Sequence, residues 1–180
     1  MNELNGLLGR FAREGRVQAL LLRPARDMPV RSVDRALLVA GAGIEGDRAA
    51  ARASARPGGH KRQLTLIQHE HVPLIAAWCG LPALNAADLR RNVVVSGLNL
   101  LAARSPLTAL RLELQLGSDG AAVELTGPCD PCSKMERVLG PGGLNAMRGH
   151  GGVTARVLRG GRVVVGDAVR VVAMASPRPD

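Results

Sequence analysis

Two of the three cysteines stand in the run Thr126-Gly127-Pro128-Cys129-Asp130-Pro131-Cys132-Ser133-Lys134-Met135-Glu136, a C-x-x-C pair on a turn stiffened by proline. Four chemistries suit such a pair. A structural zinc site needs four ligands, so Cys79 or the histidines would have to complete it from distant positions. A redox dithiol would draw on Lys134 or a helix N-terminus to lower one thiol pKa, but no thioredoxin-like βαβ pattern surrounds it. An isolated pair also serves simply as two small side chains filling a turn. Finally, a cysteine held at an exposed strand end presents a soft thiolate to a metal centre.

Anion chemistry has candidates of its own, because arginine offers a planar fork of donors matched to phosphate and carboxylate. Arg48 and Arg62 stand toward the two ends of a long Gly- and Arg-rich stretch and are read as anion-binding residues, although surface arginines elsewhere look the same. His69 and His71 are two apart, which puts them on opposite sides of a strand and about 200° apart on a helix, so joint metal ligation is disfavoured. His150, among Gly149, Gly151 and Gly152, sits in a loop placed to border a site. Asp167, after Gly166, is read as a turn former rather than an acid.

The elements that must position these residues are mostly strands. Gly15 to Pro24 reads as an opening strand and Val30 to Val39 as a second, followed by a long loop from Gly41 to Gly59. Arg62 to Ile67 alternates like a strand, Glu70 to Cys79 is helix-like and stopped by Gly80, and Asn85 to Arg91 forms a short helical turn before the valine-rich strand from Asn92 to Gly97. Arg104 to Leu116 and Ala121 to Leu125 make a hairpin across Gly117-Ser118-Asp119-Gly120, and the cysteine pair follows at once. Ser133 to Leu139 is a short helix, and Leu144 to Arg148 adds a turn. Three short strands then run over Val153 to Leu158, Arg162 to Val165 and Val169 to Ala173. Many short strands with few helices predict a mainly β fold, a β-barrel with a few short helices. The boundaries expected are an N-terminal extension over 1–14, one domain over 15–173 and a disordered tail over 174–180.

Composition narrows the function. The formal charge is +9, and of 24 basic residues only Lys61 and Lys134 are lysines, so an anionic partner is expected. One Phe, one Trp and no Tyr leave almost nothing on which to stack bases, which argues against a nucleic-acid role. Any aromatic wall beside a planar substrate must come from Phe11 or Trp78. Three sparse cysteines do not make a disulfide framework. No apolar run approaches the roughly 20 residues that cross a bilayer, and the N-terminus lacks the pattern of a secretory signal, so a cytoplasmic protein without membrane contact is expected.

Motif order goes further. Leu89-Arg90-Arg91-Asn92-Val93-Val94-Val95-Ser96-Gly97, then the cysteine run through Cys132, then a final strand opened by Gly166-Asp167 together resemble the MOSC family, named for the C-terminal domain of molybdenum cofactor sulfurases. Gly43-Ile44-Glu45-Gly46-Asp47-Arg48 ahead of Arg62 to Ile67, and Gly151 to Val157, extend the resemblance over roughly residues 15 to 173. It implies a barrel that holds the pterin-based molybdenum cofactor (molybdopterin), or sulfur destined for it. Cys132, the second cysteine, matches the family's molybdenum ligand. Arg90, Arg91 and Asn92 fall where the family places polar residues beside the cofactor, with a solvated helix end as the plainer reading of either arginine.

The activity so implied is reduction of N-hydroxylated compounds, with electrons from a separate partner, since the chain shows no flavin or iron–sulfur motif. A persulfide carrier using Cys132, served by a sulfur donor protein, is the alternative. A non-enzymatic anion- or nucleic-acid-binding barrel is the third reading. Pyridoxal phosphate, which fused relatives bind in another domain, is not expected in this chain.

Overall fold

The three valines of the strand Val93–Ser96 are 0%, 1% and 0% exposed, so both faces of that strand are covered. Val93 and Val95 join one core cluster with Leu20, Leu66, Leu114 and Val123, the interior of a barrel. Val94 points the other way and joins Leu21, Ile67, Ile75, Met135 and Met147, the layer between the barrel wall and the helices.

The computed structural model describes residues 3–52, 54, 56–106 and 110–175. In chain order the elements are α1 (Glu3–Leu8), β1 (Gly15–Leu22), β2 (Arg31–Val33), β3 (Arg35–Val39), β4 (Gly43–Ile44), β5 (Leu64–Gln68) and α2 (His71–Trp78). After a 3-10 turn (Ala86–Leu89) come β6 (Val93–Ser96), β7 (Leu110–Leu116), β8 (Ala121–Pro128), α3 (Ser133–Leu139), α4 (Gly143–Met147), β9 (Val153–Arg159), β10 (Gly161–Val164) and β11 (Ala168–Ala175).

The main sheet runs β11-β7-β8-β9-β5-β6-β1-β2, and an added β11–β1 pairing closes seven strands into a barrel with β2 hanging outside. The fold is therefore mainly β, as the sequence predicts. The closing seam is short, Gly15 opposite Val169 and Arg16 opposite Ala168. Every pairing is antiparallel except β5–β6. A parallel pair needs a crossover, and α2 with the 3-10 turn supplies it. Asn85 caps that turn by accepting from the Ala87 amide at 2.9 Å.

Four details differ from the sequence reading, the first being that β4 lies inside the stretch read as a loop from Gly41 to Gly59. Val30 to Val39 is two strands divided at Asp34: β2 pairs with β1, whereas β3 joins β10 and β4 in a separate three-stranded sheet. Imperfect alternation there marks a chain crossing between sheets. The first limb of the hairpin begins at Leu110, not Arg104, and residues 107–109 lie outside the described residues. β11 runs to Ala175, and 176–180, read as tail, also lie outside them. No described helix is long and apolar enough to cross a membrane.

Candidate functional site

The two cysteines of the C-x-x-C turn part company. Cys129 prolongs β8: its amide donates to the Gly152 carbonyl at 2.8 Å, and the residue is wholly buried. Pro131 then turns the chain, and Cys132, extended at φ −121° and ψ 172°, precedes α3 with its side chain exposed. Its carbonyl accepts from the Met135 amide at 2.8 Å, which fixes the backbone that carries the thiol.

Cys132 opens into a cleft of about 290 Å³. The arginines that line it come from separate parts of the chain: Arg23 from the end of β1, Arg48 from the long loop, Arg62 from just before β5, Arg90 and Arg91 from just before β6. Lys134 and Arg137 of α3 add charge, against Asp27 and Asp130. Asp27 is engaged by Lys134 at 2.9 Å, and that hydrogen bond holds its carboxyl below the usual range. Arg48 and Arg62, far apart around the long loop in sequence, thus face one cleft.

Beneath the arginine wall lies a buried polar network. Asp47 accepts from the Arg23 amide at 2.9 Å, from Arg23 Nε at 3.3 Å and from Asn92 Nδ2 at 2.8 Å. Asn92 Oδ1 takes Arg23 Nη2 at 2.7 Å, the Thr65 amide at 3.1 Å and Thr65 Oγ1 at 3.0 Å, while Nδ2 also reaches the Leu21 carbonyl at 3.1 Å. Every polar atom of Asn92, which is 0% exposed, is therefore used internally, and Asn92 does not line the cleft.

Arg91 is likewise turned inward. It donates to the carbonyls of Gly151 at 2.6 Å, Leu89 at 2.8 Å and Cys129 at 3.1 Å, tying the start of β6 to the cysteine turn and to the loop before β9. Burial, and after it the charges of Arg62 and Arg23, lower its pKa, with the Cys129 and Cys132 thiols opposing. Arg62 Nη2 lies 3.4 Å from Cys129 Sγ, so Cys129 is gripped by two guanidinium groups, Arg62 at its sulfur and Arg91 at its carbonyl. Arg90 holds a left-handed backbone, φ 58° and ψ 35°, with its carbonyl accepting from Arg23 Nη1 at 3.0 Å. A residue with a Cβ reaches that region at a cost of about 1–2 kcal/mol, here offset by the network that grips it.

Sequence reasoning missed Arg23, Asp47 and Thr65. The Gly46-Asp47-Arg48 run was a signal for Asp47; nothing marked Arg23. It also left unseen a ring cluster: His71 packs edge-on to His150 at 4.8 Å, and Trp78 to His150 at 4.8 Å. His71 Nδ1 is buried without a hydrogen-bond partner, and burial first, then His150, lowers the His71 pKa. His69 is exposed, and neither Phe11 nor Trp78 lines the cleft. Asp167 Oδ2 accepts from the Val164 amide at 2.8 Å, a turn-forming contact. Among the described residues no three His, Cys, Asp or Glu side chains converge as a metal cage, so a structural zinc site has no third ligand there.

The molecule resembles solved structures over most of its length. YuaD from Bacillus subtilis superposes with a TM-score of 0.71 at 23% identity, covering 91% of this chain and 98% of that one. YiiM from Escherichia coli gives 0.63 at 19%, covering 90% and 72%. YiiM from Geobacillus stearothermophilus gives 0.62 at 17%, covering 88% and 75%. No curated protein matches the sequence. The sequence does match the MOSC domain over residues 53–170, a span that contains Arg62, Arg90, Arg91, Asn92 and both cysteines of the turn. With barrel, motif order and matched span in agreement, the chain belongs to the MOSC domain family.

Proposed function

We propose that the cleft seats the pterin-based molybdenum cofactor, and that the protein reduces N-hydroxylated compounds with electrons from a separate donor protein. One observation carries this reading: an exposed thiol, Cys132, opens into a cleft walled by arginine. The residues suit the group. A thiolate is a soft ligand fit for molybdenum. Arg48 and Arg62 have no carboxylate partner among the described residues, so donors beyond the Arg62 Nη2 contact with Cys129 remain for a phosphate.

In this reading Cys132 holds the metal, and Arg48, Arg62 and Arg90 hold the anionic part of the ligand. Arg91 and Asn92 act as positioning residues, the first by fixing the cysteine turn, the second by fixing Arg23 and Asp47 under the cleft floor. When bound, the cofactor supplies oxygen-atom exchange at the metal, and the chain's own contribution is to bind, orient and charge-balance it.

The exposure of Cys132 also favours a second reading, a persulfide carrier, which needs a sulfur that a partner can reach. Metal and pterin analysis of protein from a cofactor-producing host separates them. Near-stoichiometric molybdenum, lost in Cys132→Ala and kept in Cys129→Ala, is the expected result. Metal-free wild type carrying cyanide-labile sulfur would establish the carrier. Salt-sensitive nucleic-acid binding indifferent to Cys132→Ala would overturn both.

A further inference from the structure

The arginine wall continues past the thiol. A second pocket of about 260 Å³ shares Arg23, Arg48 and Arg62 with the Cys132 cleft and extends to Arg52. Arg52 in turn borders a wider cavity of about 800 Å³ on the long-loop side. No acidic side chain lines the second pocket. Arg48 and Arg52 have no carboxylate partner among the described residues, and Asp47, the nearest acid in sequence, is occupied by Arg23 and Asn92. Such a pocket is a concentration of positive charge with its counter-charge missing.

The wide cavity differs in kind. Its walls combine small apolar side chains, Ala42, Ala50 and Leu158, and the main chain of Gly58 and Gly59 with the polar side chains of Arg52, Ser54 and Arg156. Buried Gln63 fixes them: its Nε2 donates to the Gly58 carbonyl at 2.7 Å, and its Oε1 accepts from the Val157 amide at 2.8 Å. Gly59, at φ 77°, packs so tightly that a Cβ would stand 1.8 Å from the Gly41 carbonyl oxygen. The cavity is thus held open by a hydrogen-bonded frame. Its size falls within the roughly 300–1,000 Å³ of small-molecule sites, and its wall sets apolar side chains beside polar ones.

We infer that the second pocket and the wide cavity form a binding site for a nucleoside diphosphate group, the phosphates among Arg48, Arg52 and Arg62 and the nucleoside against the apolar walls. An inorganic anion alone would leave the cavity unused, and an uncharged ligand would leave the arginines uncompensated. This site needs no metal at Cys132; it shares Arg48 and Arg62 with the Cys132 cleft, while Arg52 and the wide cavity are its own.

Calorimetric titration of metal-free protein with GDP, ADP and inorganic pyrophosphate tests it. A nucleoside diphosphate should bind about tenfold or more tighter than pyrophosphate, and Arg52→Glu should weaken both by about tenfold or more. Ala51→Trp, at an exposed position on the cavity wall, should abolish the advantage of the nucleotides and spare pyrophosphate. Equal binding of nucleotide and pyrophosphate, binding of neither, or indifference to Ala51→Trp in a variant with unchanged melting would overturn the inference. Molybdenum content is measured separately, so either proposal can fail alone.

Discussion

The Asn92 amide donates to the Asp47 carboxylate at 2.8 Å, and this contact joins the entrance of β6 to the long loop beneath the cleft. Asn92→Ala strands the Thr65 amide, the Leu21 carbonyl and part of Arg23 and Asp47 in a site closed to water. Leaving buried polar groups unpaired costs about 1–3 kcal/mol each where they cannot relax, so a loss of about 3 kcal/mol is expected in urea denaturation.

Asp47→Ala removes what is, among the described residues, the only acid paired with Arg23, whose side chain is 10% exposed. An uncompensated buried charge costs about 3–5 kcal/mol, and the double variant Arg23→Met with Asp47→Leu should recover much of it. Recovery absent from the double variant would mean that the hydrogen bonds Asp47 accepts from Asn92 at 2.8 Å and from the Ala49 amide at 2.9 Å, not the ion pair, set the cost.

Arg91 and Arg62 should respond in opposite ways. Lysine at 91 cannot reach three carbonyls at once, so Arg91→Lys is expected to cost about 2 kcal/mol in stability despite keeping its charge. Arg62→Gln, at an exposed residue, should change stability by less than about 0.5 kcal/mol while weakening phosphate binding in calorimetry.

Thiol alkylation of the folded protein should begin at Cys132. Cys129 is wholly buried, and burial pushes the Cys79 thiol pKa up, with Glu136 acting the same way. Peptide mapping after brief iodoacetamide treatment should find the label on Cys132, and label on all three only after unfolding.

Acid should weaken the helix layer through His71. Its pKa is lowered in the folded state, by burial and then by His150, from an ordinary 6.5, so the unfolded chain takes up a proton that the folded protein resists. The stability is complete above about 6.5 and is lost as pH falls from 6.5 toward the lower folded value. His71→Phe should flatten that part of the melting-temperature profile; an unchanged slope would assign it to other groups.

What was legible in the sequence was whatever local pattern encodes. Apolar runs marked β1, β5, β6 and β8, and motif order marked the cysteine turn. Partner choice was not legible: Val30 to Val39 carries nothing to say that β2 and β3 serve different sheets. The same limit hid Arg23 with Asp47 and His71 with His150, since each pair exists only through the fold. Arg91 and Asn92 stood out as polar residues before a core strand; that their polar atoms face inward depends on Gly151, Cys129, Thr65 and Leu21, which come from other segments.

The short seam between β1 and β11 has a consequence for synthesis. β11 emerges from the ribosome after every other barrel strand, so a nascent chain stalled before residue 168 exposes the β7 edge that β11 will cover along its length, and leaves the wall open at Gly15 and Arg16. Unpaired edges template association with other chains. Co-translational aggregation should therefore peak just before β11 appears and collapse once it docks.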